Sequence, residues 1–306
     1  MLIYLARRLA VGALVLLGVT MLVFALTHIA GDPAVLMLPP AASAVEVEAL
    51  RERLGLNDPL AIQYVRFLKD AVRGDFGTSL QHNQPAMQLL LERLPATFEL
   101  GLAAIVLSIV ISIPVGIIAA LKRGSPWDMA SLALAVLGQS MPNFWLAILL
   151  INLFAVQLGW LPTSGRAAGL SSLVLPAITI ALYLIATQIR LVRGTFLDVM
   201  NQDYIRTARS KGLRRIVVYL KHGLRNALIP VVTIVGIQLG HVLGQAVVIE
   251  TVFQWPGLGL FTVQAITNRD FPVTQAAVTL MAAFVVVINL VVDAFYGILD
   301  PTIRTE

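Results

Sequence analysis

Long apolar runs alternate with short polar segments through most of this chain. Six stretches, 9–29, 100–121, 129–161, 167–189, 228–249 and 274–292, contain no Asp, Glu, Lys or Arg. A helix needs roughly 20 apolar residues to cross the hydrocarbon core of a bilayer, so the pattern predicts six spans in an all-α integral membrane protein. The first run follows Arg7 and Arg8, an arrangement also found in cleavable signal peptides. Its length, and the Ala30-Gly31-Asp32-Pro33 that follows, favour a retained span. Pro114, Pro142 and Pro176 fall inside runs, where kinks are tolerated if neighbours satisfy the freed backbone groups. Gly159 to Pro162 form a natural boundary for the third run, and Trp160 and Trp255 stand near span ends, as interfacial aromatics do.

Residues 31–95 are soluble in character. Ser43 with Glu46 predicts a capping box for a helix ending near Leu54. Asn57-Asp58-Pro59 predicts a second helix start, Gly74 to Gly77 a turn, and 85–94 an amphipathic segment leading to Pro95.

The most informative polar segment is 203–230. Tyr204, Ile205 and Ala208 give a first short helix an apolar side, and Gly212 interrupts it. Leu213, Ile216, Val217, Leu220 and Leu224 continue a second stripe at helical spacing. Arg206, Arg209, Arg214, Arg215, Lys221 and Arg225 occupy the other side. The same pattern would suit a helix lying on anionic lipid. A mere reversal of the chain would need far fewer residues.

Composition agrees with a membrane location: 58% of residues are hydrophobic and 13% charged, against about a quarter charged in soluble domains. The absence of cysteine excludes disulfides and thiolate metal sites. The net charge of +5 comes from basic residues clustered at the ends of apolar runs, which marks topology rather than a nucleic-acid face. Arg7, Arg8, Lys122, Arg123, the basic loop and Arg304 would lie inside and Arg166 and Arg269 outside, so both termini are expected to be cytoplasmic. The basic residues of 31–95 do not oppose this, because long segments translocate largely regardless of charge.

Within the fifth run, Gly236, Gly240 and Gly244 form a small-residue stripe suited to close helix packing. Gln238, His241 and Gln245 lie on a different face. They would line a hydrated solute pathway or hydrogen-bond between helices. Asn289 and Asp293, near the inner end of the last span, fit a paired structural contact. No phosphate loop, H-E-x-x-H motif or G-x-S-x-G elbow occurs, so no catalytic, cofactor-binding or metal-ligating set is expected, and the chain is not expected to be an enzyme.

The string DYIRTARSKGL, followed by HGLRNALIP, resembles the dipeptide/oligopeptide (peptide, nickel and glutathione) permease branch of the binding-protein-dependent ABC importers. RGDFGTSL, ERLPATFEL, ETVFQWPGLG and VVDAFYGILDP are similar to the same branch. Of the wider Glu-Ala-Ala loop pattern, which falls on Arg206, Thr207, Ala208 and Gly212, only Ala208 and Gly212 are kept. The departure at Arg206 undercuts any salt bridge borrowed from that pattern.

The resemblance implies a type I importer permease fold. It would consist of residues 1–94, with a first span at about 9–29 and an extracytoplasmic segment, and a transmembrane domain over 95–306. The latter would hold helices at about 98–121, 129–158, 170–192, 228–250 and 274–297, with a cytoplasmic coupling loop at about 194–227. The segment before the second span would form an elbow helix on the membrane surface. Asp203, Tyr204, Arg206, Thr207, Ala208, Arg209, Lys211, Gly212 and Leu213 would meet an ATPase, and Trp255, Pro256, Gly257, Leu258 and Gly259 would face a solute-binding protein. The implied partners are a second homologous permease, two cytoplasmic ATPase subunits holding the ATP and Mg, an extracytoplasmic binding protein, a peptide solute and membrane lipid, in a bacterial plasma membrane. The alternatives are a self-contained secondary transporter or channel, and a nickel importer permease. The first would leave the basic loop unexplained, and the second finds no ligand cluster.

Overall fold

The computed structural model describes residues 2–29, 34–35 and 43–299. The expectations that involve 30–33 and Arg304 lie outside these residues. The helices are α1 (Leu2–Ile29), α2 (Ala44–Leu54), α3 (Leu60–Val72), α4 (Ala86–Leu121), α5 (Pro126–Ser140), α6 (Asn143–Leu150), α7 (Leu170–Met200), α8 (Asp203–Ser210), α9 (Arg225–Phe253), α10 (Leu258–Thr267) and α11 (Phe271–Leu299). π-helical turns at Ile151–Gln157 and Val218–Leu224 extend α6 and precede α9. Among the described residues, five helices are long and apolar enough to cross a membrane, or six if the bent pair of α5 and α6 with its π-turn is one span.

The apolar pattern places these helices, and three local expectations need correction. The run 129–158 is not one straight helix, because α5 and the following helix meet at 108°. The cause lies at Met141-Pro142. The proline ring disfavours the α conformation in the residue before it, and Met141 adopts an extended ψ of 130° while Pro142 caps α6. Pro95, by contrast, ends nothing. The segment expected to lead up to it, and to form a separate elbow helix, is the beginning of the 36-residue α4. Leu89, Leu90, Ala96 and Leu100 are buried on both sides of the proline, so packing holds the helix through it. Third, the proline of the Asn57-Asp58-Pro59 helix start, expected in the first turn of α3, sits at its N-cap. The capping box forms as the sequence predicts, with Ser43 Oγ accepting from Glu46 N–H and the Glu46 carboxylate accepting from Ser43 N–H.

The chain divides into two compact units, residues 1–97 with 256–306, and residues 98–255. In the first, α1 runs beside α11. Gln275 Nε2 donates to Thr27 Oγ1 at 3.1 Å, and Arg8 pairs with Asp293 at 3.1 Å, which gives Asp293 a structural contact. Phe76, Leu89, Leu90, Leu258, Phe261 and Ala277 share a buried cluster. Phe24, Tyr64, Phe67 and Phe76 form an aromatic row from α1 to the turn after α3.

The second unit is organised around α7, whose Leu175, Ile180, Leu184, Ile189 and Val192 are buried. Gly116 of α4 permits close approach, because a Cβ there would lie 2.7 Å from two Val192 side-chain atoms. The helix continues past the expected span end at 192 to Met200, so Arg190 and Arg193 are helical residues at the root of the loop.

Candidate functional site

The loop between α7 and α9 is folded around its own small core. Ile205 and Ala208 of α8 are buried with Val218, and Met200 and Tyr219 pack against them. Gly212 ends the helix at φ 74°, in the left-handed region that glycine enters without a Cβ penalty. Its N–H donates to Arg209 O at 3.0 Å. Arg215–Val217 and the π-turn then lead without a break into α9. Asn226 Nδ2 donates to Tyr204 Oη at 2.9 Å, tying α8 to the start of α9.

The expected apolar stripe of the second short helix is redistributed. In a π-turn each N–H reaches back five residues instead of four, so the phase of side chains slips from α spacing. Val218 and Gly223 face inward, whereas Ile216, at 58% exposed, and Leu220, at 54%, face outward. Tyr204 and Leu213 are also exposed, among Arg206, Arg209, Lys211, Arg214 and Arg215. A cleft of about 450 Å³ opens between Arg209, Leu213, Arg215, Val218 and Tyr219. The exposed Asp203 and Arg206 stand 3.5 Å apart, an ion pair worth little in water. This loop therefore presents apolar side chains in a cationic frame, while a buried anchor fixes it to the helices.

That anchor has two parts. Phe196 is buried with Ala120 and Ala227, and Thr195 Oγ1 donates to Ala227 O at 3.2 Å. One turn earlier, Arg193 forks onto the buried Asp128, which also accepts from Gly124 N–H at 2.9 Å. No sequence signal singled out this pair. Its members are separated by 65 positions, and Asp128 was hidden among ordinary span-end charges.

The fifth-run polar set is divided by the structure. Gln238 is 5% exposed and accepts at 2.8 Å from Gln188 Nε2, in the packed interior of its unit. Gln188 also donates to Ser108 Oγ and accepts from Ser112 Oγ, so one amide joins α4, α7 and α9. His241 is exposed, and Gln245 is partly buried with an Oε1 that has no partner among the described residues. Gln238 thus occupies a packing position, apart from His241. Gln188 was the missed residue, although a lone amide in an apolar run is the signal that finds such sites.

The outer segment also departs from expectation. Trp255 is fully buried, with the Arg166 guanidinium 5.7 Å from its ring centre, and Arg166 also pairs with Glu99. It is no lipid-interface anchor, whereas Trp160 is exposed. Gly257, Leu258 and Gly259 are buried, with Leu258 N–H donating to Thr97 Oγ1 at 2.8 Å. Beside the exposed Gln254, the exposed residues of this region lie further on, at Gln264, Ile266, Thr267, Asn268 and Arg269. Among the described residues no group of three or more His, Asp or Glu side chains could hold a metal ion.

Five or six helices long and apolar enough to cross a membrane, with a structured basic loop between two of them, define a multi-pass membrane protein. The family model described as "Binding-protein-dependent transport system inner membrane component" matches residues 112–305, and the model for the N-terminal part of such components matches 1–101. The chain belongs to this family of inner membrane ABC importer permeases. It is 41% identical to a dipeptide transport system permease of Alkalihalophilus pseudofirmus, over 99% of this chain and 100% of that one. It is 43% identical to a glutathione transport system permease of Escherichia coli, over 99% of both. An oligopeptide transport system permease of Bacillus subtilis is 41% identical, over 98% of this chain and 99% of that one. The fold is similar to a chain of a methionine ABC transporter solved in inward-facing conformations, with TM-score 0.55 and 21% identity over 70% of this chain and 97% of that chain.

Proposed function

We propose that this permease is one of two homologous membrane subunits of an importer for short peptides, including glutathione, powered by two ATPase subunits that hold ATP and Mg. The observation that carries the reading is the loop at 203–224, which exposes Tyr204, Leu213, Ile216 and Leu220 in a ring of arginines while burying Ile205 and Val218. A loop resting on lipid has no need of a tight internal core and a buried ion pair at its root. A loop that receives force does. Asp203, Tyr204, Arg206, Thr207, Arg209, Lys211 and Leu213 form the docking face, with Ala208 and Gly212 shaping it.

In this reading the termini and loop are cytoplasmic. His241 faces the solute pathway at the junction of the two permeases, and Gln238 holds helices together behind it. The binding protein meets the exposed end of α10 rather than the buried Trp255 to Gly259. Peptide solutes are supported by the dipeptide, oligopeptide and glutathione relatives. The test is uptake of a labelled dipeptide and of labelled glutathione into proteoliposomes. These would contain this chain, its candidate permease and ATPase partners, and the binding protein. Uptake requiring ATP and every partner is expected. Gradient-driven uptake by this chain alone would reject the reading.

A further inference from the structure

A pocket in the first unit opens beside the exposed end of α10. It lies where the turn at 79–84, α10 and the residue before α11 converge. Its walls are Gln81, His82, Phe261, Gln264, Asn268 and Asp270, around a cavity of about 140 Å³. The four side chains of Gln81, His82, Gln264 and Asn268 are exposed and form the rim. Asp270 is 3% exposed and forms the floor.

The floor is held in place from below. Ser79 Oγ donates to Asp270 Oδ2 at 2.5 Å, across 191 positions of sequence. Ser79 Oγ in turn accepts from His82 N–H at 3.1 Å and lies 3.2 Å from His82 Nδ1. Asp270 N–H donates to Ala265 O, and Asp270 O accepts from Thr274 N–H, so the backbone is fixed on both sides. The second carboxylate oxygen, Oδ1, is buried and has no hydrogen-bond partner among the described residues. Among the described residues no cation pairs with this oxygen. Arg269 is exposed, and the Arg93 guanidinium sits 5.4 Å from the centre of the Phe261 ring.

We propose that this pocket is a binding site for a primary ammonium group, with Asp270 Oδ1 as the charge partner. A carboxylate removed from water is strongly disfavoured unless a cation or several donors replace its hydration. One carboxylate and neutral amides balance a single positive charge. A divalent ion such as calcium takes six to eight oxygen ligands, commonly with several carboxylates, and a single carboxylate falls short of that set. An ammonium carries three donors on one atom, which suits Asp270 together with carboxamide oxygens of the rim, and the Phe261 ring adds a cation–π surface. The volume is several times the roughly 30 Å³ share of one water, leaving room for the amino group and its first carbons. The ammonium chemistry stands independently of the importer reading. Naming its source, the amino end of a solute peptide or a lysine of the docked binding protein, rests on that reading.

The test uses the full chain in nanodiscs, with methylammonium as probe and saturation-transfer NMR as readout. Saturable binding is expected, weakened at least tenfold by Asp270→Asn and a few-fold by Gln264→Leu. Gln264 lies on the exposed rim, so its variant carries the test if the aspartate variant fails to fold. Absence of saturable binding, equal binding by both variants and wild type, or equal displacement by potassium would each overturn the assignment. Displacement by Ala-Ala but not by N-acetyl-Ala-Ala is expected from a solute amino end. Stronger displacement by Nα-acetyl-lysinamide assigns the ammonium to a protein lysine. Displacement by N-acetyl-Ala-Ala, which has no ammonium, as strong as that by Ala-Ala or Nα-acetyl-lysinamide would again reject an ammonium site. None of these readouts requires transport or a partner subunit, so a wrong importer reading leaves them unaffected.

Discussion

Arg193 grips Asp128 through two parallel hydrogen bonds, Nε to Oδ1 at 2.6 Å and Nη2 to Oδ2 at 2.9 Å. The fork matches the carboxylate plane, an arrangement that lysine cannot reproduce. It joins the beginning of α5 to the part of α7 that enters the loop. Removing one member leaves the other poorly solvated, at a cost of about 3 kcal/mol. Asp128→Asn is therefore expected to lower the midpoint of thermal unfolding. Pairing it with Arg193→Met should recover part of the loss. A double-mutant cycle on the reconstituted protein checks this, and strictly additive effects would mean that the fork contributes no coupling.

Gly212→Pro addresses the loop itself. Proline fixes φ near −65°, whereas Gly212 requires 74°. The variant should insert and assemble but hydrolyse ATP without moving solute. Gly212→Ala, strained by about 1–2 kcal/mol in the left-handed region, should show a milder defect. The check is the ratio of uptake to hydrolysis in the assembled complex, and a wild-type ratio for the proline variant would remove the loop from the coupling path.

Gln188→Leu deletes one amide and leaves Ser108, Ser112 and Gln238 short of partners. Interhelical hydrogen bonds in membranes average only about 0.6 kcal/mol, so Ser112→Ala should be nearly silent. The glutamine variant, which strands several buried groups together, should lose about 2 kcal/mol. Unfolding in mixed detergent micelles compares the two, and equal effects would show that the three-helix junction is not cooperative.

Burial predicts a clean separation between two residues on one helix. Gln238→Leu should reduce stability, because a buried acceptor of Gln188 is lost. His241→Leu should leave stability unchanged and alter the uptake rate or half-saturating concentration by several-fold. Unchanged transport in the His241 variant would place that face outside the pathway.

The capping box gives a pH dependence with a definite sign. The hydrogen bonds from Ser43, backbone first, hold the Glu46 carboxyl below its ordinary range. A depressed folded value means that the stabilisation of α2 is present above the unfolded value and is lost as pH falls through the folded one. The protection of α2 amides, taken relative to intrinsic exchange at each pH, should fall on acidification, and Glu46→Gln should flatten that response. The same acid dependence in the variant would assign it to other groups.

Local patterns were legible in the sequence where one segment supplies both partners. The capping box needs only Ser43 and Glu46, and the break at Gly212 needs only a left-handed residue. The prolines were not legible in this way. Pro95 and Pro176 lie within helices while Pro142 divides one, and the residues flanking each do not differ enough to predict this. Packing decides, and packing depends on distant segments. The Gln188 junction and the Ser79–Asp270 contact were hidden for the same reason, because each joins residues tens to hundreds of positions apart. The inward slip of Val218 was concealed by the assumption of α spacing through what is a π-turn.

From Arg215 to Phe253 no residue leaves a helical conformation. At 1.5 Å per residue, α9 alone extends about 42 Å from its 29 residues. The loop is thus a handle on one end of a shaft that carries His241 along its length. In the importer reading, a sideways push on the exposed Ile216 and Leu220 would travel toward His241 along one helical run, and the π-turn and Pro230 are the two places where that run would bend.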